Sequence, residues 1–278
     1  MSCRPYGTRW LGLLPIAMLA ACALSAPPAD ETLRPTAGSA ASADGIEALA
    51  QQALAAARGA PDDAAAQVAA AQRLFLAAEL RMQQAASAWL RAHTDATLAQ
   101  VLAADDQTDD AVRSAVVSLC TAGLECADRA AQLAGANVGA RLHQALHLSL
   151  LAWANGPARA LMAGYGPKLA KAVDAAVALD GGHDGASPLR LQGRFRSQAP
   201  WPYGDLPAAV KALEAAVQLA PLVVNHLFLG DALHKQGKHE EARAQWLAAG
   251  TAKDDDSTHW SAELLREQAR ARLAAKAD

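Results

Sequence analysis

Two histidines have the spacing that most directly suggests chemistry in this sequence. His143 and His147 are four residues apart, so a helix would place both rings on one face, where they could share a metal ion. The residue after His143 is Gln144, so the glutamate that serves as general base in zinc proteases is missing, and the spacing suggests no third ligand. A metal-dependent enzyme is a hypothesis that rests on these two histidines alone, and we expect neither a metal nor another cofactor.

Two arginines, Arg190 and Arg194, repeat this spacing on a helix predicted at about residues 187–198. Side chains four residues apart share a helix face, so the two guanidinium groups could bind an acidic partner. The alternative interpretation is a plain solvated face. Both interpretations place the two side chains at the protein surface.

The loop at 199–205, with the sequence Ala-Pro-Trp-Pro-Tyr-Gly-Asp, holds two aromatic residues stiffened by two prolines. Trp201 and Tyr203 could be presented to a ligand or to a protein partner. In the alternative interpretation, both rings pack over the adjacent helices and Asp205 caps the helix that begins at Leu206.

The rest of the sequence lacks the motifs of common enzyme classes. It has no G-x-S-x-G elbow and no glycine-rich phosphate loop. The acidic run at 105–110 lacks the glycine and the terminal glutamate of a calcium loop, which favours helix caps and a solvated turn. The net charge of −3 provides no basic excess for nucleic acid. We therefore expect a protein that is not an enzyme and does not bind nucleic acid.

The N-terminal sequence is typical of a bacterial lipoprotein signal. Arg4 and Arg9 lead into a short apolar stretch at 10–20, and the segment ends in Leu-Ala-Ala-Cys at Cys22. We expect cleavage before Cys22 and lipidation of that residue, with an ordinary secretory signal as the alternative. Ala23 follows the cysteine in place of aspartate, which by analogy with lipoprotein sorting favours the periplasmic face of the outer membrane.

The predicted organisation is a signal peptide at 1–21, a flexible tether at 22–43 and a single all-α domain at 44–278. The alanine-rich, aromatic-poor composition favours closely packed helices over a sheet. Apolar periodicity and break residues predict helices at about 44–58, 62–92, 95–104, 111–133, 137–154, a short piece to 163, 167–179, 187–198, 206–219, 222–236, 239–249, and from 256 or 257 to 275. No later stretch is long and apolar enough to be a transmembrane helix.

Two cysteines in the predicted domain, Cys120 and Cys126, are six residues apart. On a continuous helix they would lie on different faces, which is the wrong geometry for a disulfide. We expect both to be small buried apolar side chains. A helix break at Gly123 would make the disulfide possible.

The stretch at 222–249 resembles one tetratricopeptide repeat, a helix–turn–helix unit of about 34 residues. The Leu-Gly pair stands at 229–230, and Gly237 takes the turn. The small residues Gly230 and Ala242 would let two antiparallel helices approach closely, while Trp246 fills the adjacent space. One repeat cannot bury its own apolar face, so the match implies neighbouring helical units in a tetratricopeptide-like array.

A longer stretch, at about 180–250, is similar to the lipoprotein T components associated with some tripartite ATP-independent periplasmic (TRAP) transporters. The matching features are Gly193, the aromatic loop at 199–205, and residues at repeat spacing beyond it, namely Ala209, Leu213, Ala216 and Pro221. Two departures are evident. The link from Pro221 to Leu229 is one residue shorter than in a standard repeat, and the first unit carries the long loop. Over residues 44–180, only the helical order agrees.

The resemblance implies a non-enzymatic, membrane-tethered helical protein. Such a protein would dock a periplasmic solute-binding protein, assist uptake of an organic ligand, and assemble as a homo-oligomer. By analogy with peptide-binding repeats, a concave surface would be formed by Val224, Leu227, Asp231, His234 and Lys235. The predicted partner and ligand site then comprises Arg190, Arg194, Trp201, Tyr203, Asp231, His234 and Lys235. The alternative function is a general outer-membrane scaffold lipoprotein for envelope assembly.

Overall fold

The computed structural model describes residues 43–252 and 262–275, and every regular element within them is helical. Cys22, the predicted tether up to residue 42 and the predicted start of the last helix near Ser257 lie outside these residues. The described part contains eleven α-helices: α1 Ala43–Gly59, α2 Ala64–Ala92, α3 Leu98–Leu102, α4 Asp110–Leu133, α5 Val138–Met162, α6 Tyr165–Asp180, α7 His183–Gln198, α8 Leu206–Leu219, α9 Val223–Lys235, α10 His239–Thr251 and α11 Ala262–Ala274. A 3-10 turn, Ala104–Gln107, follows α3. Among the described helices, none combines the length and the apolarity needed to cross a membrane.

Side-chain caps explain where several of these helices begin. The Asp63 carboxylate accepts hydrogen bonds from the backbone N–H groups of Ala65 and Ala66, so the cap lies one residue after the predicted Asp62 start. The predicted cap Asp205 is confirmed, and Asn137 caps α5 in the same way; each side chain accepts a hydrogen bond from the third residue of its helix. These caps satisfy backbone donors that have no partner inside the helix.

Two predicted breaks appear as kinks inside helices. Gly156 has a φ of +76° within α5, immediately before Pro157. The helix is kinked at this point and continues on the far side of the kink to Met162. At the start of α7, the residues 184–186 all have positive φ. The gap between the helices predicted at 167–179 and 187–198 therefore contains the bent first turn of α7.

Most helices pack against their neighbours in sequence, and α11 returns to contact α2, α3 and α9. The main hydrophobic cluster draws residues from the first helix to the last, from Ala50 to Ala269. Arg272 of α11 is buried in this interior. The last helix is thus built into the core because α2 and α9 cover it.

Two glycines allow the closest helix crossings in the C-terminal half. A Cβ atom added at Gly230 of α9 would lie 2.5 Å from the Trp246 ring and 3.1 Å from the Ala242 carbonyl oxygen of α10. A Cβ atom at Gly193 of α7 would lie 2.5 Å from Leu213 of α8. The predicted close approach of two helices at Gly230 is therefore confirmed, and α7–α8 repeats it.

The α4 helix runs without a break through Gly123. Cys120 and Cys126 are both buried and unpaired, as the continuous helix requires. Gly123 serves a different purpose: a Cβ atom there would lie 2.1 Å from the His147 ring of α5. The glycine lets the imidazole fit between the two helices.

Candidate functional site

The seven residues predicted to contact a partner or ligand fall into a buried group and an exposed group. Arg190, Arg194 and Asp231 are at most 5% exposed. His234, Lys235 and the loop that carries Trp201 and Tyr203 reach the surface to different extents. Burial therefore separates side chains that the sequence pattern could not distinguish.

Asp231 of α9 is the centre of the buried group. Its carboxylate accepts two hydrogen bonds from Arg272 of α11, at 2.7 and 3.0 Å, and one from Arg194 of α7, at 3.3 Å. The indole Nε1–H of Trp246 in α10 donates a fourth, at 3.0 Å. Four helices meet at this carboxylate, and its oxygen atoms are fully used in doing so.

Arg190 holds the bent first turn of α7. Its Nη1 atom donates to the Gly185 carbonyl and to Asn225 Oδ1, both at 2.9 Å, and its Nη2 atom donates to the Ser187 hydroxyl. The Asn225 amide in turn donates to the Ala220 carbonyl, at 2.7 Å. The solvated-face interpretation of Arg190 and Arg194 is therefore wrong, because α9 packs over that face of α7 and supplies Asn225 and Asp231 as their partners.

Asp105 is also part of this interior, and the expectation of a solvated acidic turn is wrong for it. Its side chain is buried, and desolvation raises the pKa of the carboxyl to about 6, while the charges of Arg194 and Arg272 oppose that rise. The later part of the acidic run behaves as predicted, since Asp109 caps α4.

His234 and Lys235 lie at the edge of the buried group, at the end of α9. The His234 ring packs 5.7 Å from the Trp246 ring and 4.9 Å from the His239 ring, measured between centroids. The Lys235 Nζ atom donates to the Ser197 carbonyl of α7, and burial together with Arg194 lowers the pKa of this amine. Both side chains join helices to each other.

His143 and His147 do share a face of α5, with ring centroids 6.3 Å apart, and both are buried. His147 Nε2 lies 2.9 Å from the Ala71 carbonyl oxygen, so this nitrogen is the donor. Burial lowers the pKa of His143 to about 3 and that of His147 to about 4. In the described residues, no group of three His, Cys, Asp or Glu side chains could hold a metal ion.

The two aromatic rings of the loop at 199–205 differ in their exposure to solvent. Tyr203 is half-buried, 6.0 Å from the Phe195 ring between centroids, and one edge of its ring lies 3.1 Å from the position of a Cβ atom at Gly166 of α6. Trp201 is 89% exposed. The packing interpretation holds for Tyr203, whereas Trp201 is presented to solvent.

The loop that carries Trp201 is held by backbone hydrogen bonds at both ends. Asp205 N–H donates to the Arg196 carbonyl and Tyr203 N–H donates to the Pro200 carbonyl, both at 3.0 Å. The Asp205 side chain caps α8 through the Ala208 N–H, as predicted. Trp201 therefore projects from a supported turn, a geometry that costs little conformational entropy on binding.

A groove between α4, α5 and α6 begins beside this loop. Its volume is about 640 Å³, within the range of small-molecule sites. Tyr165 lines the groove, and the next residue, Gly166, lies under Tyr203. The first turn of α6 is thus shared between the groove and the loop.

The polar lining of this groove was not anticipated from the sequence. Arg141 of α5 and Lys168 and Lys171 of α6 line it together with Asp128 of α4. The three-residue spacing of the two lysines on one predicted helix is a signal that could have been noticed. The approach of Arg141 depends on helix packing, which the sequence pattern does not reveal.

No protein-family model matches this chain, and no curated protein is significantly similar to it. The function is therefore argued from the residues and from the geometry of the loop and the groove.

Proposed function

We propose that this protein is a non-enzymatic lipoprotein that docks a periplasmic solute-binding protein of a TRAP-type transporter and assists uptake of an organic ligand. The observation that carries the proposal is Trp201, which is 89% exposed on a supported loop. A rigid, exposed indole is the type of residue that dominates the energy of protein interfaces. The resemblance of residues 180–250 to the T components supplies the identity of the partner.

The proposed architecture is a tetratricopeptide-like array that is regular only in its C-terminal half. The antiparallel pair α7–α8 crosses at Gly193, and the antiparallel pair α9–α10 crosses at Gly230. The repeat pattern has small residues at such crossings. The helices before them are longer and less uniform, up to 29 residues in α2. They would form the wall against which the two repeat-like units pack.

The proposed location is the periplasmic face of the outer membrane, through a lipid on Cys22. A tether of about 20 residues between this lipid and α1 would let the helical domain reach a partner in the periplasm. More than one acyl chain on the cysteine would make the anchoring stable.

A photo-crosslinking experiment tests the docking surface. The full-length lipoprotein carries an aromatic crosslinking amino acid, benzoylphenylalanine, at position 201, where it replaces the indole with another large exposed ring, and a second version carries it at Leu247, which is 52% exposed on α10. We expect irradiation of intact cells to trap a solute-binding protein from position 201 and not from position 247.

Two outcomes would contradict the proposal. Trapping of envelope-assembly proteins at position 201 would favour the scaffold function instead. Absence of any solute-binding protein among the crosslinked products, with the protein expressed and lipidated, would remove the docking role.

A further inference from the structure

The groove between α4, α5 and α6 combines an apolar floor with a cationic edge. Leu124, Leu148 and Ala172 contribute to the floor, and Leu179 extends the apolar surface at one end with 42% exposure. An inorganic anion or a sugar is not expected to bind on such an apolar floor, because its polar groups would lose their water and find no hydrogen-bonding partners there. The floor suits a hydrocarbon chain.

The charges around the groove favour an anion. Three cations, Arg141, Lys168 and Lys171, line it with a single carboxylate, Asp128. Asp128 accepts a hydrogen bond of 2.6 Å from the Gln144 amide, which occupies part of its capacity. The acidic residue of α6 closest in sequence to the lysines, Asp174, bonds instead to Gln192 and Arg196 of α7.

The three cations retain donors for a ligand. Lys168 makes one long contact, 3.5 Å to the Ala163 carbonyl, and Lys171 makes no hydrogen bond or ion pair within the part of the chain that the structure describes. Arg141 is oriented by Gln144, whose Oε1 atom accepts from its Nη1 at 3.1 Å. The chain Asp128–Gln144–Arg141 therefore positions one guanidinium group in advance of binding.

We propose that this groove binds a small organic anion that consists of an aliphatic chain ending in a carboxylate. The carboxylate binds Lys168, Lys171 and Arg141, and the chain lies on the floor formed by α4, α5 and α6. This assignment rests on the proposed function and adds to it the chemical class of the ligand. Because Tyr165 and Gly166 connect the groove with the aromatic loop, a partner docked on Trp201 would stand next to the bound anion.

Binding is measured by saturation-transfer NMR and calorimetry on the full-length lipoprotein in phosphatidylcholine nanodiscs. The probes are hexanoate, hexanol, which keeps the chain without the charge, and acetate, which keeps the charge without the chain; empty nanodiscs correct for partitioning. We expect hexanoate to bind at least tenfold more tightly than either of the other two. Equal binding of hexanoate and acetate, or of hexanoate and hexanol, would overturn the assignment.

Charge-reversal variants locate the site. The double variant Lys168→Glu/Lys171→Glu is expected to raise the dissociation constant for hexanoate at least tenfold. The matched control, Lys211→Glu/Arg243→Glu, makes the same net change at exposed positions of α8 and α10 and should bind as the wild type does. If the two double variants bind hexanoate equally well, the groove is not the site.

A second variant tests the floor without changing a charge. Ala178 is exposed and lines the groove, so Ala178→Trp should obstruct the groove while the fold is retained, as judged by an unchanged circular dichroism spectrum. We expect it to weaken hexanoate binding at least fivefold, and wild-type affinity would contradict the proposal.

The crosslinking assay separates the two proposals. If Lys168→Glu/Lys171→Glu still traps the solute-binding protein from position 201 and wild type and variant both fail to bind hexanoate, docking stands and the groove assignment fails. If hexanoate binds the wild type as expected and no partner is trapped, the groove stands and the docking role fails.

Discussion

Two clusters of cationic side chains, one buried and one open, differ in what they bind. In the interior, Arg194 and Arg272 share the Asp231 carboxylate, and Arg190 binds a side-chain amide, a hydroxyl and a carbonyl of its own chain. In the groove, Arg141, Lys168 and Lys171 face solvent beside one carboxylate. Side chains of the same charge therefore differ in role: the buried cations join helices to each other, and the cations of the groove are available to a ligand.

The residue types agree with this division in part, since the groove contains Arg141 beside its two lysines. The buried cluster is built from arginine. Its planar guanidinium group makes several hydrogen bonds at fixed angles, so protein acceptors alone can pair all of its N–H groups without water. The guanidinium of Arg194 also stacks 4.6 Å over the Phe228 ring. The groove uses two lysines, whose strongly hydrated ammonium groups are suited to a site that solvent and ligand share.

The largest effect is expected from removing the charge at the centre of the buried cluster. Asp231→Asn leaves Arg194 and Arg272 without their anion, and breaking a buried ion pair in this way costs roughly 3–5 kcal/mol. Urea unfolding followed by circular dichroism measures the loss.

The matched control for that prediction is Asp174→Asn. Asp174 is 61% exposed and pairs with Arg196 at 3.6 Å, so the same substitution should cost below about 1 kcal/mol. Equal losses for the two variants would show that the buried cluster is no more important to stability than a surface ion pair.

The next effect depends on pH and concerns the same interior. Burial raises the pKa of Asp105 from 3.8 to about 6, so the folded protein binds this proton more tightly than the unfolded chain does. Stability from this group is therefore lost as the pH rises from about 4 through 6. Relative to the wild type, Asp105→Asn should gain roughly 2 kcal/mol over that interval, because the amide does not titrate.

Urea midpoints at pH 4, 5, 6 and 7.5 would measure this difference. Asp110→Asn, at the exposed start of α4, is the control, and its stability relative to the wild type should vary much less with pH. A pH-independent difference between Asp105→Asn and the wild type would mean that the carboxyl ionises normally inside the fold.

A smaller loss of stability is expected where the loop meets the helices. Tyr203→Ala removes a half-buried ring that packs on Phe195 and over Gly166, and should cost about 1–2 kcal/mol. It should also reduce partner crosslinking, since this ring supports the turn that carries Trp201. Tyr203→Phe keeps the ring and should retain both properties; failure of that rescue would assign the effect to the hydroxyl.

The smallest effect on stability is expected for Trp201→Ala. The ring is 89% exposed, so its removal should change the free energy of unfolding by less than about 0.5 kcal/mol. In a pull-down from envelope extract, we expect Trp201→Ala to recover less solute-binding protein than the wild type while its melting temperature is unchanged, which would separate residues that build the fold from residues that bind. A large loss of stability would show that Trp201 is structural.

Much of the helical order could be predicted from the sequence. The helix predicted at 206–219 is found at Leu206–Leu219, because Asp205 and Pro207 mark its start and a regular apolar face defines its length. The helix predicted at 95–104 was too long, since a capping box at Thr97 and a 3-10 turn divide that segment. The resemblance to T components and the lipid on Cys22 stay predictions.

The candidate site was predicted only in part. The loop at 199–205 could be identified because its prolines and aromatics are adjacent in sequence. The groove could not, because Asp128, Arg141 and Lys168 lie on three helices, and nothing in the local pattern states which helix faces meet. Arg190 and Arg194 were predicted to lie at the surface for the same reason. Their spacing shows that they share a face of α7, but it does not show which helix packs over that face.

The helical class, most helix boundaries and the small residues at which α9 and α10 cross can all be read from the local sequence. These depend on contacts within a few residues, namely caps, turns and periodic apolar positions. Which charges are buried and which stay open depends on how the helices pack together. The burial of a charge depends on desolvation by helices that are far apart in the sequence. Arg272 of α11 contacts the Asp231 carboxylate and helps to exclude solvent from it, whereas none of the described helices covers the lysines of α6.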